Sequence, residues 1–94
     1  MIRVLIERRF LEGMQQELER VVTDVIHAAV RAPGYLSGEI LRDTKDRNHY
    51  VVVSSWRSVE NWEAWLVSPE RQLVMGHVNP MLIEPERILV METV

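Results

Sequence analysis

The stretch His49-Tyr50-Val51-Val52-Val53-Ser54-Ser55-Trp56-Arg57 runs directly into Ser58-Val59-Glu60-Asn61-Trp62. Its first part is β-branched and aromatic, the composition of a central strand. Its second part opens on a small hydroxyl before an acidic first turn, as a helix N-terminus does. A strand over 49–57 therefore hands over to a helix with Ser58 as its cap. That helix is expected to reach about Val67. Ser68-Pro69-Glu70 then starts another, with serine as cap and proline at the first helical position. This third helix holds Leu73, Val74 and His77 and stops before Pro80.

Upstream, Asp43-Thr44-Lys45-Asp46-Arg47-Asn48 is a polar hairpin connection, longer than a two-residue turn. The spacing before it predicts a strand from Tyr35 to Thr44, with Leu36, Gly38 and Ile40 on one face. Pro33-Gly34 ends a helix that begins near Met14. Its apolar stripe is Met14, Leu18, Val21, Val22, Val25 and Ala29; Gln16, Arg20, Asp24, His27 and Arg31 lie opposite. At the N-terminus, Ile2, Val4, Ile6 and Phe10 alternate with Arg3, Glu7 and Arg9, a strand with one buried face. At the C-terminus, Pro85 precedes a last strand from Arg87 to Thr93.

The order is β-α-β-β-α-β, with the second helical region broken in two. This is the ferredoxin-like arrangement of the α+β class. The connection rules then give a four-stranded antiparallel sheet with helices on one face. Ninety-four residues make a single domain, 1–94, with a marginal core. The uncovered face would carry Leu5, Leu41, Val51, Val53 and Leu89. A monomer rarely leaves such a patch open, so a homodimer stacked sheet to sheet is expected.

Composition excludes several classes. Net charge is −3 with no basic run, which argues against nucleic acid. The absence of cysteine removes disulfides, thiolate metal sites and thiol catalysis. No apolar stretch has membrane-spanning length and the start lacks signal-peptide form, so no membrane partner and a cytoplasmic location are expected.

Three tryptophans fall within ten positions, at Trp56, Trp62 and Trp65. Trp62 and Trp65 share a helix face, and Asn61 sits one turn before Trp65. Indoles can stack on a flat ring while the amide holds a carbonyl or hydroxyl. Core packing of the indoles with a partly solvated Asn61 is the competing reading. Among the histidines, His27 lies on a charged stripe, His49 opens a strand, and His77 is the best placed for a general base or ligand. His77 would equally suit an exposed helix end. Arg3, Glu7 and Arg9 read as charges making ion pairs on the sheet face. No His or carboxylate pair has metal-ligand spacing on one element.

Pro33-Gly34-Tyr35-Leu36, Leu41-Arg42-Asp43, Val53-Ser54-Ser55-Trp56-Arg57-Ser58, Trp65-Leu66 and Ser68-Pro69-Glu70, in this order and spacing, resemble the antibiotic biosynthesis monooxygenase domain family. The resemblance covers essentially the whole chain. It implies a dimeric α+β barrel and a monooxygenase that oxidises polycyclic phenols to quinones with dioxygen and no cofactor. It implies Asn61 and Trp65 as the catalytic pair; Trp56, Trp62 and His77 are the substrate-binding candidates by their own placement. Other members bind or degrade haem, using a first-strand Asn, a helix Trp and a His about ten residues later. Trp65 matches, but Ile6 stands at the Asn position and Met75 at the ligand position. His77, two residues on, would be turned about 200° away. A small-ligand binder or isomerase on the same fold is the third expectation.

Overall fold

The computed structural model describes residues 1–94. It contains β1 (Ile2–Arg9), α1 (Gln15–Val30), β2 (Tyr35–Arg42), β3 (His49–Trp56), α2 (Val59–Leu66), α3 (Pro69–Val78), a 3₁₀ turn (Asn79–Met81) and β4 (Arg87–Glu92). The strands form one antiparallel sheet in the order β2-β3-β1-β4, with α1, α2 and α3 on one face, as the ferredoxin-like reading requires. Ends differ from expectation by one or two residues. The first strand gives out at Arg9, and Phe10 makes only an isolated bridge to Leu82. No helix is long and apolar enough to cross a membrane.

Local chemistry sets the turns. The Ser58 and Ser68 hydroxyls accept from the backbone N–H groups of Asn61 and Arg71, each at 3.1 Å, and so cap α2 and α3. Pro69 supplies the preset φ of the first helical residue. Between α1 and β2, Gly34 adopts φ +84°, where an L side chain is strained, and a Cβ there would also run into the Asn61 side chain. In the hairpin, the Asp43 and Asp46 carboxylates accept from the Lys45 and Asn48 backbone N–H groups.

One face assignment is corrected. Tyr35 pairs with Trp56 but Ser37 pairs with Ser55, so Leu36 is an extra residue in the strand. The bulge puts Tyr35, rather than Leu36, in phase with Gly38 and Ile40. The Tyr35 hydroxyl lies over the Gly38 Cα, where a Cβ would collide with it, and Leu36 is left largely exposed. Leu73 is also turned outward, at 70% exposure; the inner face of α3 is instead Arg71, Met75 and Val78.

The core forms two clusters. Phe10, Leu18, Val21, Val22, Met75, Val78 and Met81 fill one end between α1, α3 and the sheet. Ile2, Val4, Ile6 and the three tryptophans fill the other. On the opposite sheet face, Leu5 stands in register with both Val53 and Leu89, and Leu41 with Val51. Leu41 and Leu89 are about half exposed, at 48% and 49%. The open apolar row expected from the strand patterns is therefore present.

Candidate functional site

Between the two clusters lies an inner cavity of about 50 Å³. That volume holds about three or four waters, and an aromatic ring needs more. Ile6, Ile40 and Val52 form its floor on the sheet. Val22, Val25, Ile26 and Ala29 of α1 form an aliphatic roof. A flat ligand must displace that roof, because the remaining walls are tied by aromatic packing and ion pairs.

The aromatic wall is built around Trp56, which is almost wholly buried. Trp65 stacks on it with rings 25° apart and centroids 6.3 Å apart. Trp62 and Tyr35 meet it edge to face, at 5.6 Å and 5.4 Å. The Trp56 indole N–H donates to Ser54 Oγ at 3.0 Å, so the indole's polar tip is satisfied inside. Burial pushes the Tyr35 hydroxyl above its ordinary pKa, which keeps it protonated and a donor.

Beside the tryptophans the wall is cationic. Arg8 follows Ile2, Val4 and Ile6 on the inward side of β1 and is only 3% exposed. Its Nε–H donates to Glu86 Oε2 at 2.8 Å, and its Nη2–H points to Met75 Sδ at 3.7 Å. Arg71 of α3, also buried, donates from Nη2 to Glu86 Oε1 at 2.6 Å. Its guanidinium lies 5.8 Å from the centre of the Trp62 ring, a cation–π distance. Both arginines border the cavity, and one carboxylate serves the two of them. Burial alone would raise the Glu86 pKa, but Arg8 and Arg71 outweigh it and hold the carboxyl below its ordinary value. Burial lowers the Arg8 pKa and Glu86 opposes that shift; an arginine nonetheless stays charged. The cluster carries a net charge of +1.

The residues singled out by sequence divide. Trp56, Trp62 and Trp65 come together on the cavity wall. Asn61 does not face that cavity. Its Oδ1 accepts from the Ser58 hydroxyl at 2.7 Å, and its side chain abuts Gly34. With Trp65, Ala28, Ala32 and Ser68 it borders a separate groove of about 290 Å³ between α1 and α2. Trp65 is the partition between groove and cavity. His77 is exposed and lines neither space, because the inner stripe of α3 is set by Arg71, Met75 and Val78. His27 is exposed on α1, as expected.

His49 lies on the other side of the sheet. It bridges Glu7, through Nε2 at 2.6 Å, and Asp43, through Nδ1 at 2.9 Å. The hydrogen bonds to Asp43 and Glu7 raise its pKa. Arg9 and Arg87 also lie within 4 Å of Glu7, so the sheet-face charges form a network rather than independent ions.

Sequence reasoning passed over Arg8 and Arg71. The signal for Arg8 was its parity with Ile2, Val4, Ile6 and Phe10. The signal for Arg71 was its helical spacing from Met75 and Val78. Glu86, in the loop before β4, carried no periodic signal.

The model of the antibiotic biosynthesis monooxygenase family matches residues 1–75. A relative from Mycobacterium tuberculosis, named a heme oxygenase (mycobilin-producing), is 36% identical over 70 residues, which span 73% of this chain and 67% of that one. A crystal structure of an antibiotic biosynthesis monooxygenase superposes with a TM-score of 0.90 at 14% identity, over 100% of this chain and 99% of the other. A variant of SnoaB, a cofactor-independent oxygenase from Streptomyces nogalater, superposes with a TM-score of 0.85 at 17% identity, over 98% and 92% of the two chains. At these identities the two solved structures speak to the fold; the family match and the 36% relative speak to descent. The chain belongs to the antibiotic biosynthesis monooxygenase family.

Proposed function

We propose that this chain is a cofactor-independent monooxygenase acting on a quinol-like or polycyclic phenolic molecule. The observation that carries the reading is the stacked Trp56–Trp65 wall on a partly open, mostly apolar cavity with a cationic end. A flat ring would lie along the indoles once α1 yields. The reaction needs an electron-rich anion of the substrate, which itself reduces dioxygen. A ring methylene and dioxygen become a ring ketone and water, so no external reductant is consumed. Arg8 and Arg71 would stabilise the anion, and the Tyr35 hydroxyl would donate to a substrate oxygen. The apolar roof would keep water from the intermediate. Trp65 serves as the ring wall, and Asn61 positions it by tying the start of α2 to Gly34.

The test is oxygen uptake with anthrone and detection of anthraquinone. Trp65→Phe, which keeps an aromatic ring in the core, and Asn61→Ala should each slow turnover while leaving the fold intact. Unchanged rates in both would remove the pair from the site, and no uptake by the wild type would remove the reaction.

Haem is the second reading, prompted by the 36% identical relative. The residues present do not fit it. No imidazole borders the cavity, His77 is exposed, and the Met75 sulfur already faces Arg8. A haem titration should accordingly leave the Soret band at its free position; a shift at micromolar protein would reinstate the haem reading. We also propose a homodimer, with the open sheet faces stacked over the row of Leu5, Val53 and Leu89.

A further inference from the structure

We infer that the inner cavity selects a ring bearing a carboxylate, which it binds through Arg8. This rests on the proposal that the cavity is the substrate site. Two arginines and one glutamate meet at the cavity wall, and all three side chains are largely withdrawn from solvent. Glu86 is the only carboxylate within 4 Å of either guanidinium, and Glu39, which also borders the cavity, pairs with neither, so one of the two positive charges has no counter-ion in contact. An uncompensated charge in apolar surroundings is costly, so a site that retains one is suited to a ligand that brings the missing anion. Arg71 makes one side-chain hydrogen bond, from Nη2 to Glu86, and lays its face against Trp62; because Nη2 belongs to both planar edges of a guanidinium, Glu86 engages both forks of Arg71. In Arg8 Glu86 engages only the Nε edge, and the end fork is left. The Arg8 Nε serves Glu86, its Nη2 has only a thioether, and its Nη1 makes no hydrogen bond. Every fully buried polar side-chain atom in the molecule has a partner, so Nη1 keeps accessible surface. Arg8 as a whole is 3% exposed and is one of the residues lining the cavity, and we assign that surface to the cavity wall.

The Nη1 and Nη2 donors together form the planar fork that a carboxylate accepts. Met75 Sδ is a weak acceptor and yields to an oxyanion at small cost. The ligand must arrive ionised, because the Glu86 carboxylate is held by both arginines and is a poor acceptor for a further proton. The geometry thus favours an aromatic acid over its neutral isostere, with the ring against Trp56 and Trp65 and the acid towards β1.

The test uses 2-naphthoate and its neutral isostere 2-naphthamide, titrated against the wild type by quenching of the tryptophan fluorescence. One charge-assisted contact in a water-poor site corresponds to at least about a tenfold preference for the acid. Arg8→Met should abolish the preference and Arg8→Lys should keep part of it. Should Arg8→Met not fold, Arg8→Gln, which retains donors without charge, is read in its place. Equal affinities, no quenching by naphthoate at millimolar concentration, or a preference that survives loss of the charge would each overturn the inference. The readout is independent of turnover. A carboxylate preference without oxygen uptake would leave this inference standing and sink the oxygenase, and the converse result would do the reverse.

Discussion

Replacing Glu86 by glutamine tests the cationic wall directly. The carboxylate accepts two short charge-assisted bonds, at 2.8 Å from Arg8 and 2.6 Å from Arg71. Each such bond contributes about 1.5–3 kcal/mol. Glutamine keeps the shape and one weaker acceptor but removes the charge, leaving two buried guanidinium groups facing each other. Breaking a buried ion pair from one side costs about 3–5 kcal/mol. Because the residual amide oxygen recovers part of this, the expected loss is about 3 kcal/mol. For a domain of this length that is a large share of a total of about 5–14 kcal/mol, and it should lower Tm by more than about 10 °C. Urea unfolding of wild type, Glu86→Gln, Arg8→Met and the double variant, followed by circular dichroism, closes the cycle. The double variant should cost less than the sum of the singles by about 1 kcal/mol or more, since it relieves the repulsion. The pH dependence has a defined sign. The Glu86 pKa is lowered on folding from an ordinary 4.5. Its contribution is therefore complete above about pH 4.5 and is lost as pH falls through the lower folded value. Glu86→Gln should flatten that part of the profile. A Glu86→Gln variant within about 0.5 kcal/mol of wild type would refute the view that this carboxylate holds the two cations in place.

Gly34→Ala should cost at least about 2 kcal/mol, part from the left-handed backbone and part from collision with Asn61; adding Asn61→Ala should restore only a fraction of the steric part, because the Asn61 Cβ that alanine keeps also collides, as read from Tm. His49 has a raised pKa, so its ion-pair contribution is present below about pH 6.5 and is lost as pH rises through the higher folded value. Thermal unfolding across this range should show the decline in wild type and not in His49→Gln; parallel profiles would argue that the Glu7–His49–Asp43 bridge contributes nothing. Leu89→Asp places a charge in the open apolar row, and sedimentation should show self-association weakened about 100-fold; an unchanged dimer would put the contact elsewhere.

Local chemistry was sufficient for the element order. Alternation of Ile2, Val4 and Ile6, the Pro33-Gly34 stop, and the Ser58 and Ser68 caps each act over a few residues, so they can be read without knowing what lies across the fold. The same holds for the tryptophan wall, since helical spacing and strand parity turn Trp56, Trp62 and Trp65 inward together. The Tyr35 face was not legible, because a bulge shifts register by one residue and reverses which side chains point in. The aim of Asn61 was not legible either. Sequence spacing puts it one turn from Trp65, but the close approach of Gly34 and the Ser58 hydroxyl turn its amide to the outer groove. His77 was excluded from the cavity by the rotation of α3, which is set by which of its stripes meets α1. The cationic end of the site depended on tertiary structure most of all. Arg8, Arg71 and Glu86 come from a strand, a helix and a loop, and Arg8 and Glu86 stand 78 positions apart. What makes them a site is that two cations share one anion away from water, and burial is a property of the assembled fold.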